Sequence, residues 1–344
     1  MNTRILARAA AGLVAAITVS LTACSSDADS GTDTTQLSVL LDWNPNPDHL
    51  AMYTAGHSGA YADHGVDPEF ILPGNTADAA KLVSLGQADV AISYETDTIL
   101  AADQGLDVVS VGALIPTSLN SVITKTSSGI RTAKDLEGKT VAGSGTPSQQ
   151  ASMDYIARRA GIDPDSIEMP NVQQNLNQAL LSDQVDAIAG AYPNIEGVEL
   201  AEKTDITVLS PEELGMPDNA ELVIIANPTR LKEDAAYADR VRGFLAGTAA
   251  GQDAALADPA TAVDAMTPET KGAYDPGTLV KMVDATVAIL RGGGVNGTAA
   301  TAPVFGVQDP ADWAEYADWM RENGLLDGDI DGATATTNDY LPAS

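Results

Sequence analysis

This chain of 344 residues holds one cysteine, three histidines, and only 18 lysines and arginines against 48 aspartates and glutamates. Each scarcity removes a class of explanation. Without a second cysteine no intramolecular disulfide can form, so packing must carry the fold even in an oxidising compartment. His49, His57 and His64 do not repeat at the spacing of a zinc-binding helix and have no cysteine to join them, so no metal is expected. A formal charge of -30, spread over most of the sequence, repels a phosphate backbone and excludes nucleic acid as a partner. Aromatic residues make up only 4%, so an aromatic side chain in a polar loop carries more weight than usual. A hydrophobic content of 44% nevertheless excludes wholesale disorder, and the length suffices for two domains with their own cores.

The only long apolar run lies at the N-terminus. Arg4 and Arg8 precede Ala9 to Leu21, and Ala23 precedes Cys24, the order of a secretory signal over residues 1–23 that is too short to span a bilayer comfortably. Leu21-Thr22-Ala23-Cys24 resembles the lipobox of bacterial lipoproteins, which implies a lipid on Cys24 and a place at the outer face of a cytoplasmic membrane. Residues 24–36 are almost entirely Ser, Asp, Thr, Gly and Ala and read as a flexible tether.

From Leu37 onward short β-branched runs alternate with amphipathic stretches, the pattern of an α/β sheet with crossover helices. Strands are expected at Leu37–Leu41, Glu69–Leu72, Val90–Ser93, Val108–Ala113, Ser121–Thr124, Thr140–Ala142, Ala187–Gly190, Thr207–Leu209 and Leu222–Ile225. After Pro228 the texture turns to alanine-rich helices around 235–257, 276–291 and 309–323, with Gly292-Gly293-Gly294 as a helix stop. Ser118–Lys125 and Leu222–Pro228 read as two hinges around an inserted domain. Residues 37–121 with 225–344 then form one lobe, and 122–224 the second.

Leu41-Asp42-Trp43-Asn44-Pro45-Asn46-Pro47-Asp48-His49 places an indole, carboxylates, amides and an imidazole directly after a strand, at the end where open α/β sheets bind ligands. Its prolines stiffen the loop, and Asp48 is placed to cap the helix that begins near His49. Ser93-Tyr94-Glu95-Thr96 and Ala191-Tyr192-Pro193-Asn194-Ile195-Glu196 repeat the pattern of an aromatic near a carboxylate at a strand end. Trp43, Tyr94 and Tyr192 are suited to stack on a flat heteroaromatic ligand, with Asp42, Glu95 or Glu196 accepting from its exocyclic amine. Gly143-Ser144-Gly145-Thr146-Pro147-Ser148 precedes a helix and offers Gly145 and Thr146 to an anion or a polar ligand edge, but lacks the lysine of a nucleotide loop. The stretch 327–338 imitates the opening of a calcium loop but has Asn338 where a bidentate Glu is wanted, and a solvated acidic turn is expected. No cofactor is expected.

The segments Leu41-Asp42-Trp43, Pro45-Asn46, His49, Gly65-Val66, Gly86-Gln87-Ala88-Asp89, Asp135 to Lys139, Val185 to Ile188, Gly190-Ala191-Tyr192 and Asn338 to Leu341 resemble the NMT1/THI5-like group of periplasmic binding proteins. That resemblance implies a two-lobed type II binding-protein fold, each lobe a mixed sheet flanked by helices with the ligand cleft between. It implies a monomeric solute receptor of an ABC importer, with a permease and a cytoplasmic ATPase as partners. The form Asp-Trp-x-Pro-Asn-x-x-His is most like binders of thiamine pyrimidine precursors, hydroxymethylpyrimidine or its formylamino relative. Carried over position by position, it implicates Asp42, Trp43, Asn46, His49, Tyr94, Glu95, Tyr192, Asn194 and Glu196. Pro193 and Leu50-Ala51-Met52 depart from the pyrimidine binders. Riboflavin, another heteroaromatic or a small sulfonate are the alternatives within the class. The group also contains fungal pyrimidine synthases that consume a pyridoxal phosphate held on a lysine and use a cysteine-rich motif. Here the first lysine is Lys81 and the only cysteine Cys24.

Overall fold

The structure, a computed structural model, describes residues 34–74, 78–146, 148–293 and 304–343. The expected signal peptide, Cys24 and the tether up to residue 33 lie outside the described residues.

Two mixed sheets organise the chain. The first runs in the order β2-β1-β3-β9-β4, from β1 (Thr35–Leu40), β2 (Val66–Ile71), β3 (Val90–Ser93), β4 (Val109–Ile115) and β9 (Leu222–Ala226). β1 pairs in parallel with β2 and β3, whereas β9 lies antiparallel between β3 and β4. The second sheet, in the order β6-β7-β5-β8, comprises β5 (Ser121–Lys125), β6 (Val141–Ala142), β7 (Ala187–Ala191) and β8 (Ile206–Leu209). Sequence follows position closely. β3, β4 and β9 are covered on both faces and read as continuous apolar or small-residue runs, while edge strand β2 alternates buried and open positions and tolerates Pro68.

All nine expected strands are present, with ends shifted by up to three residues. Two boundaries move. β1 starts at Thr35, so the last two residues of the expected tether are already paired, Thr35 opposite Val66 and Gln36 opposite Asp67. The expected hinges Ser118–Lys125 and Leu222–Pro228 are largely occupied by β5 and β9, whose apolar side chains are fixed in ladders. The chain passes between the sheets just before each of these strands, at 116–120 and 215–221. We propose that the lobe boundaries follow these passages, which assigns all of β9 to the first lobe rather than dividing it at residue 225.

Six helices matter below: α1 (Leu50–Ser58), α2 (Glu95–Asp103), α3 (Gln149–Ala160), α4 (Ala235–Ala257), α5 (Pro276–Ala288) and α6 (Pro310–Glu322). α4 spans the expected range, and its start is capped by the Asp234 carboxylate, which accepts from Tyr237 N–H. Asp309 caps α6, with Pro310 in the first turn. Beyond α5 the chain makes a wider turn, and Gly292 ends it with φ of 87°. Among the described residues no helix is long and apolar enough to cross a membrane.

α4 reaches α1 through glycine. A Cβ on Gly251 would lie 2.1 Å from the Ala51 carbonyl oxygen and 2.6 Å from Ala55 N, both backbone atoms that cannot step aside without moving α1. Gly251→Ala is therefore expected to cost about 2 kcal/mol or more. Thermal unfolding should show a clear loss of melting temperature; an unchanged value would contradict this packing.

Candidate functional site

The loop after β1 is built around Asn46. Its side-chain Oδ1 accepts from Asp48 N–H at 2.8 Å, while Asn46 N–H donates to His49 Nδ1 at 3.3 Å, a reciprocal cap that fixes the turn. Asn46 thus caps the turn Pro47–His49, while α1 itself has no side-chain cap and the Asp48 carboxylate, expected to cap it, is buried instead. With Nδ1 of His49 accepting, Nε2 carries the proton and donates to Asp42 Oδ1 at 2.8 Å. Tyr94 Oη donates to the other oxygen, Oδ2, at 3.1 Å. His49 therefore orients Asp42 from behind and, fully buried, is not among the residues that border the compartment next to Asp42.

Trp43, Tyr94 and Tyr192 share one space. Together with Asp42, Asn46, Ser144, Leu176, Gly190, Ile195 and Glu196 they border one compartment. Tyr94, Ser144, Gly190 and Tyr192 also border a second, adjoining and larger compartment. Thr146, Asn120, Gln149 and Glu221 line this larger part. Both sheets contribute walls, and among the residues lining either compartment there is no lysine, arginine or histidine. Trp43 and Glu196 also face an outer cleft on the other side.

Three further expected site residues stand elsewhere. Glu95 follows Tyr94 at the start of α2 and points the opposite way, its Oε2 accepting from Ala220 N–H at 2.7 Å beside a separate groove lined by Asp218 and Asp312. Asn194 is buried as a strut: its Nδ2 donates to Asp48 Oδ1 at 2.7 Å and to Thr286 Oγ1 of α5 at 2.8 Å. Gly145 offers no free donor, because its N–H is taken by Gln149 Oε1 at 2.9 Å, and Gln149 Nε2 in turn holds Ser144 Oγ at 2.8 Å. Its φ of +86° and the Asn171 side chain, 2.1 Å from where a Cβ would stand, explain the glycine. In the acidic turn, Asp331 caps Ala333 and Asn338 holds Gln308, so these side chains are engaged within the protein.

Sequence reasoning missed Glu221. Its Oε2 accepts from Leu119 N–H at 2.7 Å and Asn120 N–H at 2.9 Å, and its Oε1 from Tyr192 Oη at 2.9 Å. No motif marks it, since its partners are 101, 102 and 29 residues away.

Burial governs the electrostatics. Removal from water pushes Glu196 up to about 7 although Tyr192 N–H donates to it, and Glu95 up to about 8 although Ala220 N–H does. Burial likewise raises Asp48 and Glu221, opposed by their hydrogen bonds and reinforced by the neighbouring Asp42 charge. Each of these carboxyls binds its proton more tightly folded than unfolded. The stability this lends is complete below the ordinary carboxylate range and is lost as pH rises through the folded value. Asp89, held low by Ser38 and Arg230 against its burial, acts oppositely and only in acid. The protein is therefore expected to melt at a lower temperature at pH 9 than at pH 5. Glu95→Gln should recover on the order of 2 kcal/mol at pH 9 and little at pH 5. Equal effects of the substitution at both pH values, read by calorimetric melting, would contradict a buried neutral Glu95.

The comparisons with known proteins fit this geometry. A family model described as NMT1/THI5 like matches residues 46–262. The chain belongs to the NMT1/THI5-like family. It is 28% identical to the formylaminopyrimidine-binding protein of Halalkalibacterium halodurans over 290 residues, 84% of this chain and 86% of that one. It is 35% identical over 193 residues to a protein of Haemophilus influenzae named for thiamine biosynthesis, covering 56% of this chain and spanning 62% of that relative's length. A 4-amino-5-hydroxymethyl-2-methylpyrimidine phosphate synthase of Uromyces fabae is 27% identical over 238 residues, 66% of this chain and 68% of that one. Among solved structures, the alkanesulfonate-binding protein SsuA from Xanthomonas axonopodis pv. citri superposes with a TM-score of 0.66 at 16% identity, covering 89% of this chain and 99% of that one. At that identity the likeness concerns the fold, a two-lobed periplasmic-binding-protein architecture.

Proposed function

We propose that this chain is a non-enzymatic, extracytoplasmic solute receptor of an ABC importer that captures a planar aminopyrimidine of the hydroxymethylpyrimidine or formylaminopyrimidine type. The observation that carries this reading is the shared void of Trp43, Tyr94 and Tyr192, with carboxyl groups at its edge, in a chain related over most of its length to a formylaminopyrimidine-binding protein. The ring stacks between indole and phenol faces. Glu196, whose Oε2 already accepts from Tyr192 N–H, presents Oε1 to the exocyclic amine. Asp42 and Asn46 border the same compartment, and Thr146 borders the larger one. His49, Asn194 and Gly145 support the walls from behind, and Glu95 faces a separate groove.

The receptor acts as a monomer, held to the outer face of the membrane by a lipid on Cys24, and closes its lobes on the ligand before delivery to a permease driven by a cytoplasmic ATPase. Synthase chemistry of the fungal kind needs a lysine-held pyridoxal phosphate and a cysteine-rich motif. This chain has no lysine before Lys81 and no cysteine after Cys24, which favours binding over turnover. The cation-free lining disfavours a sulfonate, for which no counter-charge would offset the buried anion.

Calorimetry on the purified protein tests the reading. Hydroxymethylpyrimidine or formylaminopyrimidine is expected to bind, the corresponding phosphate ester and a small alkanesulfonate about 100-fold more weakly or not at all. Trp43→Ala and Glu196→Gln should each weaken the pyrimidine about tenfold with the melting temperature retained. Tight binding of the sulfonate, or unchanged pyrimidine affinity in both variants, would overturn it.

A further inference from the structure

The two passages between the sheets are joined in an unusual way. The β4–β9 ladder ends at the Ile115–Leu222 pair, and among the described residues no backbone–backbone hydrogen bond links 116–120 to 217–221. Side chains take over. Ser118 N–H donates to Asp218 Oδ1 at 2.9 Å, Asn219 N–H to Ser118 Oγ at 3.0 Å, and the N–H groups of Leu119 and Asn120 both donate to Glu221 Oε2. A ladder would hold the segments rigidly. A carboxylate that accepts several donors lets the backbones swing relative to each other while every polar group stays satisfied.

Glu221 differs from Asp218 in reaching further. It is 4% exposed, stands directly before β9, and lines the larger compartment. Its second oxygen receives the hydroxyl of Tyr192, which follows β7 in the other sheet and walls both compartments. One side chain thus touches both passages and an aromatic wall contributed by the opposite sheet.

We infer that Glu221 is a positioning residue that couples the Tyr192 ring to the pair of passages between the sheets, so that a guest stacked on Tyr192 biases the relative placement of the two lobes. The inference rests on the reading of the cleft as a ligand site that closes. It assigns Glu221 an action through Tyr192 and not contact with the ligand.

Four variants and two readouts test it: Glu221→Ala, Glu221→Gln, Tyr192→Phe and the double variant Glu221→Ala with Tyr192→Phe, with amide hydrogen exchange and calorimetry on hydroxymethylpyrimidine. Glu221→Ala should speed exchange at Leu119 and Asn120 about tenfold or more, and Tyr192→Phe, which removes only a hydroxyl, about threefold, with Val141 in the second sheet unaffected. Glu221→Ala and Tyr192→Phe should each weaken the pyrimidine about tenfold, the double variant hardly more than either alone, and Glu221→Gln much less, since its amide can still accept from the two N–H groups and donate to Tyr192 Oη. Losses that multiply in the double variant, or Tyr192→Phe leaving the Leu119 and Asn120 amides at wild-type rates, would overturn it. If Glu221→Ala does not fold, Tyr192→Phe and Glu221→Gln decide the matter by the same readouts. A wild-type protein that binds no pyrimidine refutes the ligand reading alone, and the exchange at the two amides in Tyr192→Phe then decides this one.

Discussion

Carboxyl groups buried without a cationic partner are the constraint on which the middle of this protein depends. Asp42, Asp48, Glu95 and Glu221 are each less than 5% exposed and stand at strand ends or at the passages between the sheets. None meets a lysine or arginine; their partners are backbone N–H groups, an amide, an imidazole and phenols. A lone carboxylate taken out of water is expensive, and hydrogen bonds from neutral donors offset only part of that cost. The remainder appears as proton affinity in Asp48, Glu95 and Glu221, which is why these three shift upward together.

This arrangement has a consequence for the cleft. Its walls are aromatic faces, hydroxyls, amides and carboxyl oxygens, so a guest rich in N–H donors completes them while an anion finds no counter-charge. The loop 143–148 illustrates the point: its helix-start position is where an anion would be met by free N–H groups, yet Gln149 has turned back to occupy Gly145 N–H. The likeness to a sulfonate binder concerns architecture and by itself carries no shared chemistry.

The sequence was informative wherever one segment decides the outcome. Continuous apolar runs such as Val90–Ser93 and Leu222–Ala226 become central strands because both faces are covered, and the Asp-Pro start of α6 is a local cap. The first loop stood out for the same reason, since Asn46, His49 and Asp42 bond to one another within seven residues, although His49 and Asp48 take other places in it than the sequence assigned them. What escaped was set by tertiary contact. Neighbouring Tyr94 and Glu95 look equivalent on paper, but Tyr94 is extended and Glu95 begins the helix, so their side chains diverge toward different cavities. Asn194 resembles a ligand contact in its loop until the fold brings Asp48 and Thr286 to it. Glu221 carries no local signature, because its position matters only once two passages, about a hundred residues apart in the chain, lie side by side.

The most direct measurement of the central claim is a mass spectrum of the small molecules released when freshly purified protein is denatured. The account predicts an unphosphorylated pyrimidine bearing an exocyclic amine, in near-stoichiometric amount; a sulfonate, a flavin or a phosphorylated compound in its place would contradict it.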